Sequence, residues 1–150
     1  MNITALLADS AQTDPTGKVH ALGLGWSLTV TPTPPMALLL FIELSVGEHL
    51  LERYTVTGKL FDSNGEQQLT KHSQPVGFKA EMHSDQVTAG LSRQVGGVDV
   101  PEKVITVIPI PPGIALKPAR YEWVVSIDVP DVADVKVSFA VVPALASDSV

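Results

Sequence analysis

The chain has 150 residues, no cysteine and a formal net charge of −6 at pH 7, from sixteen acidic and ten basic residues. The lack of Cys excludes disulfide frameworks, thiol catalysis and thiolate metal sites. The basic residues are spread singly along the chain, which argues against a nucleic-acid-binding or anionic-membrane-binding surface.

The first thirty residues predict short strands separated by turns. Residues 2–8 form a first strand, and residues 9–17 form a polar connection that closes on the β-turn sequence 14–17 (Asp-Pro-Thr-Gly). Strands are also predicted at 18–22 and 26–30, around Gly23-Leu24-Gly25, where two glycines permit a bulge or a close backbone approach.

The next segments read as a stiff connector followed by the strongest strand of the chain. Residues 31–35 (Thr-Pro-Thr-Pro-Pro) cannot lie in a central strand, because proline donates no backbone hydrogen bond. Residues 36–44 form an almost continuous apolar run, which predicts the central buried strand, with a short core helix as the alternative. Residues 50–62 predict a long strand with Tyr54, Val56 and Leu60 on one face.

Residues 63–65 (Ser-Asn-Gly) predict a hairpin turn into 66–70, and 76–82 predict another strand. Residues 84–97 contain three glycines among polar side chains and show no period, so they are predicted to be a flexible or partner-ordered loop. A strand over 98–110 follows, interrupted by Pro101.

The clearest pattern is a hairpin over residues 121–141. Tyr121, Trp123, Val125 and Ile127 alternate with polar or smaller side chains, and Val135, Val137, Phe139 and Val141 repeat the alternation after a polar turn. Residues 143–150 are left as a C-terminal tail.

Together these segments predict an all-β fold: an antiparallel β-sandwich of about eight to ten short strands in one domain, residues 1–150, with a barrel as the second choice. No signal peptide or transmembrane segment is predicted, since the longest apolar run (36–42) is far short of the roughly 20 residues that a membrane helix needs.

The sequence carries no recognisable catalytic or cofactor motif. The four His are scattered, no G-x-S-x-G surrounds a serine, and Gly23-Leu24-Gly25 lacks the rest of a dinucleotide fingerprint. The titratable cluster 48–52 (Glu-His-Leu-Leu-Glu) is interpreted as a solvated turn. We therefore expect no enzyme, no cofactor and no bound metal.

Three carboxylates near the last hairpin turn could bind a cation, and the sequence does not decide whether they do. Asp128, Asp131 and Asp134 stand three residues apart, and carboxylates clustered on a loop can bind Ca²⁺. They lack the interleaved Asn and Gly of a calcium loop, and Asp is an ordinary turn residue.

Two stretches of the chain carry a family resemblance. The opening Ala5-Leu6-Leu7-Ala8-Asp9-Ser10-Ala11, then Gly17-Lys18 and Leu22-Gly23, and the closing Leu116-x-Pro118-x-x-Tyr121-x-Trp123-x-Val125 resemble a small uncharacterised family of actinobacteria and their phages. The resemblance implies a β-sandwich whose closing strand is entered through a corner tyrosine. It implies no catalytic residue, and its phage members suggest a virion role.

The leading functional hypothesis is a structural protein that works through protein–protein contact, as a phage capsid accessory or decoration subunit. Its expected partners are a capsid protein and copies of itself, and its expected location is the virion or the cytoplasm. The alternative is a bacterial ligand-binding or regulatory module with a pocket near Trp26, and an enzyme with an unrecognised site comes third. The predicted contact residues are Thr31, Pro32, Thr33, Pro34, Pro35, Val87, Leu91, Arg93 and Val95.

Overall fold

The regular structure of this protein is β-strand throughout the part of the chain that the computed structural model describes, residues 1–45, 48, 50, 53–83, 94–95, 98–99 and 102–143. Within those residues the strands are β1 (Asn2–Ala8), β2 (Ser10–Thr13), β3 (Val19–Leu22), β4 (Leu28–Val30), β5 (Met36–Leu44), β6 (Arg53–Asp62), β7 (Gly77–His83), β8 (Gln94–Val95), β9 (Val98–Asp99), β10 (Glu102–Ile110), β11 (Ala119–Ile127) and β12 (Val135–Val142).

Two sheets pack face to face. The first has the order β1-β5-β10 and is antiparallel, and the second has the order β4-β12-β11-β6-β7. In the second sheet every pair is antiparallel except β12 with β4, which run parallel. The predicted all-β antiparallel sandwich is thereby confirmed, with one parallel pair that the sequence pattern does not indicate.

The core between the sheets follows the predicted alternation. Tyr121, Trp123, Val125 and Ile127 of β11 are all buried, as are Phe139 and Val141 of β12. From the first sheet, alternate residues of β5 complete the core, and Leu38, Leu40 and Ile42 are fully buried. A buried hydrogen bond joins the two sheets, between the hydroxyls of Tyr54 and Thr106 at 2.7 Å. Burial there raises the pKa of Tyr54.

Strand β5 is buried on both faces, which explains its continuous apolar run. Its other face carries Ala37 and Leu39, which form a second small core with Ala8 and with Ala11 and Ala21 of the β2–β3 hairpin. That hairpin therefore covers part of the outer face of the first sheet. The prediction that residues 36–44 form the central buried strand is confirmed, and the helix alternative is wrong.

The β2–β3 hairpin corrects one prediction. Residues 10–13 were predicted to belong to a connection, but they pair with β3 in the register Ser10↔Leu22 to Thr13↔Val19. The turn is organised by Asp14, whose Oδ1 accepts hydrogen bonds from Thr16 N (2.8 Å), Thr16 Oγ1 (2.6 Å) and Lys18 N (3.0 Å). The polar strand is thus fixed by its turn and by packing over Leu39 rather than by a hydrophobic pattern of its own.

Other segments depart from prediction in smaller ways. Residues 66–70 were predicted to form a strand, but their strand pairing is limited to the isolated bridges Phe61↔Gln67 and Leu69↔Pro75. Of the predicted loop 84–97, the structure describes Gln94 and Val95, which pair with Asp99 and Val98. The rest of that loop, and the tail 144–150, lie outside the described residues.

The corner tyrosine is present. The Tyr121 hydroxyl donates a hydrogen bond of 2.9 Å to the carbonyl of Lys117, four residues upstream. This is the geometry of a tyrosine corner in β-sandwiches. It fixes the entry of the chain into β11, and burial raises the pKa of Tyr121.

Candidate functional site

Large apolar side chains are exposed mainly in one stretch of the chain. Among the described residues six large hydrophobic side chains are exposed, and four of them lie between residues 22 and 30: Leu22 (72%), Leu24 (49%), Leu28 (59%) and Val30 (44%). Single exposed apolar residues are ordinary, but four of them within nine residues of sequence make this stretch the candidate for an interaction surface. We call residues 22–35 the contact segment.

Two glycines present the first half of the contact segment. Gly23 and Gly25 have φ of +60° and +80°, and a Cβ at Gly23 would lie 2.1 Å from the Asp9 carboxylate. The amide of Gly25 donates a 2.6 Å hydrogen bond to the carbonyl of Leu7. The chain is therefore held tightly against the end of β1, and Leu22 and Leu24 stay on the outside.

Strand β4 presents the second half. It is the outermost strand of its sheet and pairs on one side with β12, in the register Leu28↔Ala140 to Val30↔Val142. Thr29 is buried, whereas Leu28 and Val30 are exposed. β4 is only three residues long and is followed closely by Pro32, but its exposed side chains are apolar and uncharged. Its free edge therefore carries no charge that would oppose pairing with another chain.

The predicted contact residues of 31–35 divide into two roles. Thr33 is only 2% exposed, and it exchanges backbone hydrogen bonds with Ile114 and Gly113. Its hydroxyl also accepts a hydrogen bond from Ile114 N at 3.1 Å, and the Thr31 hydroxyl accepts one from Leu116 N at 3.1 Å. The two threonine hydroxyls are thus engaged inside the fold, and the role of Thr31 and Thr33 as partner contacts stays a prediction. The exposed members are Pro32, Pro34 and Pro35, of which Pro32 follows a cis peptide bond.

The remaining predicted contact residues lie elsewhere. Val87, Leu91 and Arg93 are outside the described residues, and Val95 belongs to the two-residue strand β8. Their role as partner contacts stays a prediction.

Sequence reasoning missed Leu22, Leu24, Leu28 and Val30, although a signal was present. No Asp, Glu, Lys or Arg occurs from Ala21 to Ile42, in a chain whose net charge is −6. The alternation around Leu28 indicates a strand, but it does not say that this strand lies at an edge.

A second feature is a cleft of about 680 Å³. Residues 69–72 and 75–78 form one wall, residues 110–115 form the other, and Trp123 contributes to the lining. The Phe78 ring lies over Gly58, where a Cβ would come within 2.1 Å of the ring, and its centroid is 5.6 Å from that of Trp123. The Trp123 Nε1 is buried and has no hydrogen-bond partner among the described residues.

Trp26 is a packing residue and does not line this cleft. Its ring contacts Phe139 edge-on, with centroids 5.8 Å apart and an interplanar angle of 77°. The cleft therefore differs from the pocket near Trp26 that the ligand-binding hypothesis predicts.

The perturbed carboxylates have structural explanations. Hydrogen bonds from Thr16 and His20 hold the pKa of Asp14 well below its ordinary value, and they belong to the hairpin turn. The Lys103 ammonium, 2.7 Å from Glu43, lowers the pKa of that carboxyl across β5 and β10. Glu48 of the predicted cluster 48–52 accepts hydrogen bonds from the Met1 amine and Ser45 N, which lower its pKa.

Asp128, Asp131 and Asp134 are not clustered as a cation site. Within the described part of the chain, no three His, Asp or Glu side chains are close enough together to hold a metal ion. Asp128 instead accepts a hydrogen bond from the backbone amide of Thr55, which joins the end of β11 to β6.

Comparison of the chain with family models, with curated proteins and with solved structures finds no match. The family resemblance of the two ends stays a prediction. The described residues include no helix of the length and hydropathy that crossing a membrane requires.

Proposed function

We propose that this protein is a non-enzymatic structural subunit that assembles with copies of itself through the contact segment. The observation that supports the proposal most directly is the concentration of exposed apolar side chains at Leu22, Leu24, Leu28 and Val30. Removing such side chains from water on association is favourable, at roughly 25 cal/mol per Å² of apolar area.

We take a second copy of the chain as the occupant, because an exposed edge strand can pair with its own counterpart about a two-fold axis. Two copies with a net charge of −6 repel each other, so association is least opposed where both surfaces are uncharged. The stretch from Ala21 to Ile42 is uncharged and includes the edge strand β4. Antiparallel pairing of β4 with its counterpart would extend the five-stranded sheet across a two-fold axis.

We further propose a virion as the setting, with the protein as a capsid accessory or decoration subunit. The support is the resemblance of residues 5–11 and 116–125 to phage-associated proteins, together with a surface suited to assembly. Quantitative mass spectrometry of purified particles should find the chain at a copy number set by the symmetry of the shell. Its absence from particles would end the virion proposal and leave self-assembly standing.

Sedimentation equilibrium of purified protein tests the self-assembly. We expect reversible association of the unmodified chain at micromolar concentrations and its loss in Leu28→Asp, because a carboxylate would be buried unpaired at the centre of the contact. Leu69→Asp is the matched control, since Leu69 is also exposed (57%) but lies outside the contact segment. A monomeric unmodified chain, or equal effects of the two substitutions, would refute the proposal.

A further inference from the structure

The cleft over Trp123 is a different surface from the contact segment, and its shape suits a small ligand. At about 680 Å³ it falls within the range of about 300–1,000 Å³ that is typical of ligand pockets. Its lining is mostly apolar or aromatic and includes Phe78, Ile110, Ile114 and Trp123. Such a surface favours the apolar body of a ligand.

The cleft is also rigidly framed. Residues 113–116 are held by four hydrogen bonds to Thr31 and Thr33. The opposite wall is held to β6 by hydrogen bonds between Val76 and Leu60 (3.1 Å) and between Gln68 and Leu60 (2.8 Å). A pre-formed cleft lowers the entropic cost of binding, because its walls are ordered before the ligand arrives.

Lys71 carries the one formal charge on the lining of the cleft, since His72 is counted as neutral at pH 7. The side chains that line the cleft include Lys71 and His72 but no Asp or Glu, although the chain has sixteen acidic and ten basic residues overall. Both basic residues lie on the wall formed by residues 69–72 and are exposed. An anionic group at this rim would meet a cation and no opposing carboxylate.

We propose that this cleft binds a small amphipathic anion, with an aliphatic or aromatic body against the partly exposed Phe78 and Ile114 and a single carboxylate at the rim beside Lys71. The apolar part of the ligand matches the apolar lining of the cleft, and its carboxylate matches the positive charge of Lys71 at the rim. The ligand class is therefore a monocarboxylic acid with an apolar chain or ring, rather than a polar metabolite, a cation or a polyanion.

Decanoate is a suitable probe, and decanol is its uncharged counterpart. A Trp26→Phe background leaves Trp123 as the only indole, and Phe can keep the edge contact with Phe139. We expect saturable quenching or a spectral shift of Trp123 fluorescence on titration with decanoate below its micelle concentration, and a matching isotherm from calorimetry on the unmodified chain.

Three variants make the test specific. Lys71→Met should weaken decanoate binding about two- to fivefold, the size expected for an exposed ion pair, and leave decanol binding unchanged. Lys79→Met, an exposed lysine on β7 outside the cleft, should change neither. Ala115→Phe, which fills the cleft from an exposed position, should abolish binding of both probes while the melting temperature stays within a few degrees of the unmodified chain.

The outcomes separate clearly. No saturable signal with decanoate would overturn the proposal, and so would binding that Ala115→Phe leaves intact in a folded variant. Equal affinity for decanoate and decanol that does not respond to Lys71→Met would show an uncharged apolar cleft and overturn the assigned ligand class. Self-association of the unmodified chain is measured separately, so failure at the cleft does not bear on the contact segment.

Discussion

Trp123 occupies the centre of the second sheet. It is 1% exposed, pairs with Leu60 and Val137 on its neighbouring strands, and contacts the Phe78 ring. Phe78 can lie there because residue 58 is glycine and leaves room for the ring. The Trp123 ring therefore packs where β11 meets the residues of β6, β7 and β12. Its N–H has no hydrogen-bond acceptor among the described residues.

We expect Trp123→Ala to destabilise the protein by about 3–5 kcal/mol, because it removes a large buried ring and leaves a cavity that β-strands cannot collapse to fill. That is a large part of the roughly 5–15 kcal/mol net stability of a domain. Urea titration followed by far-ultraviolet circular dichroism measures the loss. A change below about 1 kcal/mol would contradict the assignment of Trp123 to the core.

Much at this scale was predictable. The inward face of residues 121–127 follows from period-two alternation, because a residue and its second neighbour lie on the same side of a strand. The space that Gly58 leaves for Phe78 was not predictable, because the two residues meet only through the pairing of β6 with β7.

At the scale of elements, β5 shows why an alternating pattern is not required of every strand. Leu40 faces the space between the sheets, whereas Leu39 faces the β2–β3 hairpin, and both are fully buried. A two-layer sandwich would leave Leu39 in solvent. The hairpin adds a partial third layer over one sheet.

Leu39→Ala should therefore cost about 2–5 kcal/mol, as expected for a buried leucine. Ile105→Ala, on the same outer face of the first sheet but 37% exposed, should cost well under that value and serves as the matched control. Thermal and urea unfolding of the two variants provide the comparison. Equal small losses would mean that the hairpin does not seal this face in solution.

Strands β2 and β4 mark the limit of sequence reasoning at this scale. The side chains of β2 are mostly polar, so their pattern does not distinguish a strand from a connection. The turn held by Asp14 is what brings residues 10–13 into pairing with β3. For β4 the alternation was recognised, but its exposure depends on its position at a sheet edge, which is set by a partner strand far along the chain.

At the scale of the whole molecule, the charged residues lie outside the stretch of sequence that contains the contact segment. The chain carries −6 overall, yet no charged residue lies between Ala21 and Ile42. The proposed assembly would therefore bring like-charged bodies together through an uncharged contact. Its long-range repulsion is screened by salt, with a Debye length of about 10 Å at 0.1 M and about 3 Å at 1 M.

Raising the NaCl concentration from 0.05 to 0.5 M should accordingly strengthen self-association, because screening reduces the repulsion and leaves the apolar contact intact. Dissociation constants from sedimentation equilibrium at both concentrations measure the effect. Weaker association at high salt would show that ion pairs carry the contact, in conflict with its proposed composition.

The parallel pair of β4 and β12 also has a consequence for the order of folding. Leu28 lies beside Ala140 in the finished sheet, so the ribosome must release nearly the whole described chain before β4 can find its neighbour. Until then Leu28, Thr29 and Val30 remain without their strand partner in the nascent polypeptide. Pairings this distant along the chain are slow to form and leave apolar edges open to aggregation in the meantime. The yield of native protein should then respond to the rate of synthesis and the supply of chaperones, and not only to the stability of the completed sandwich.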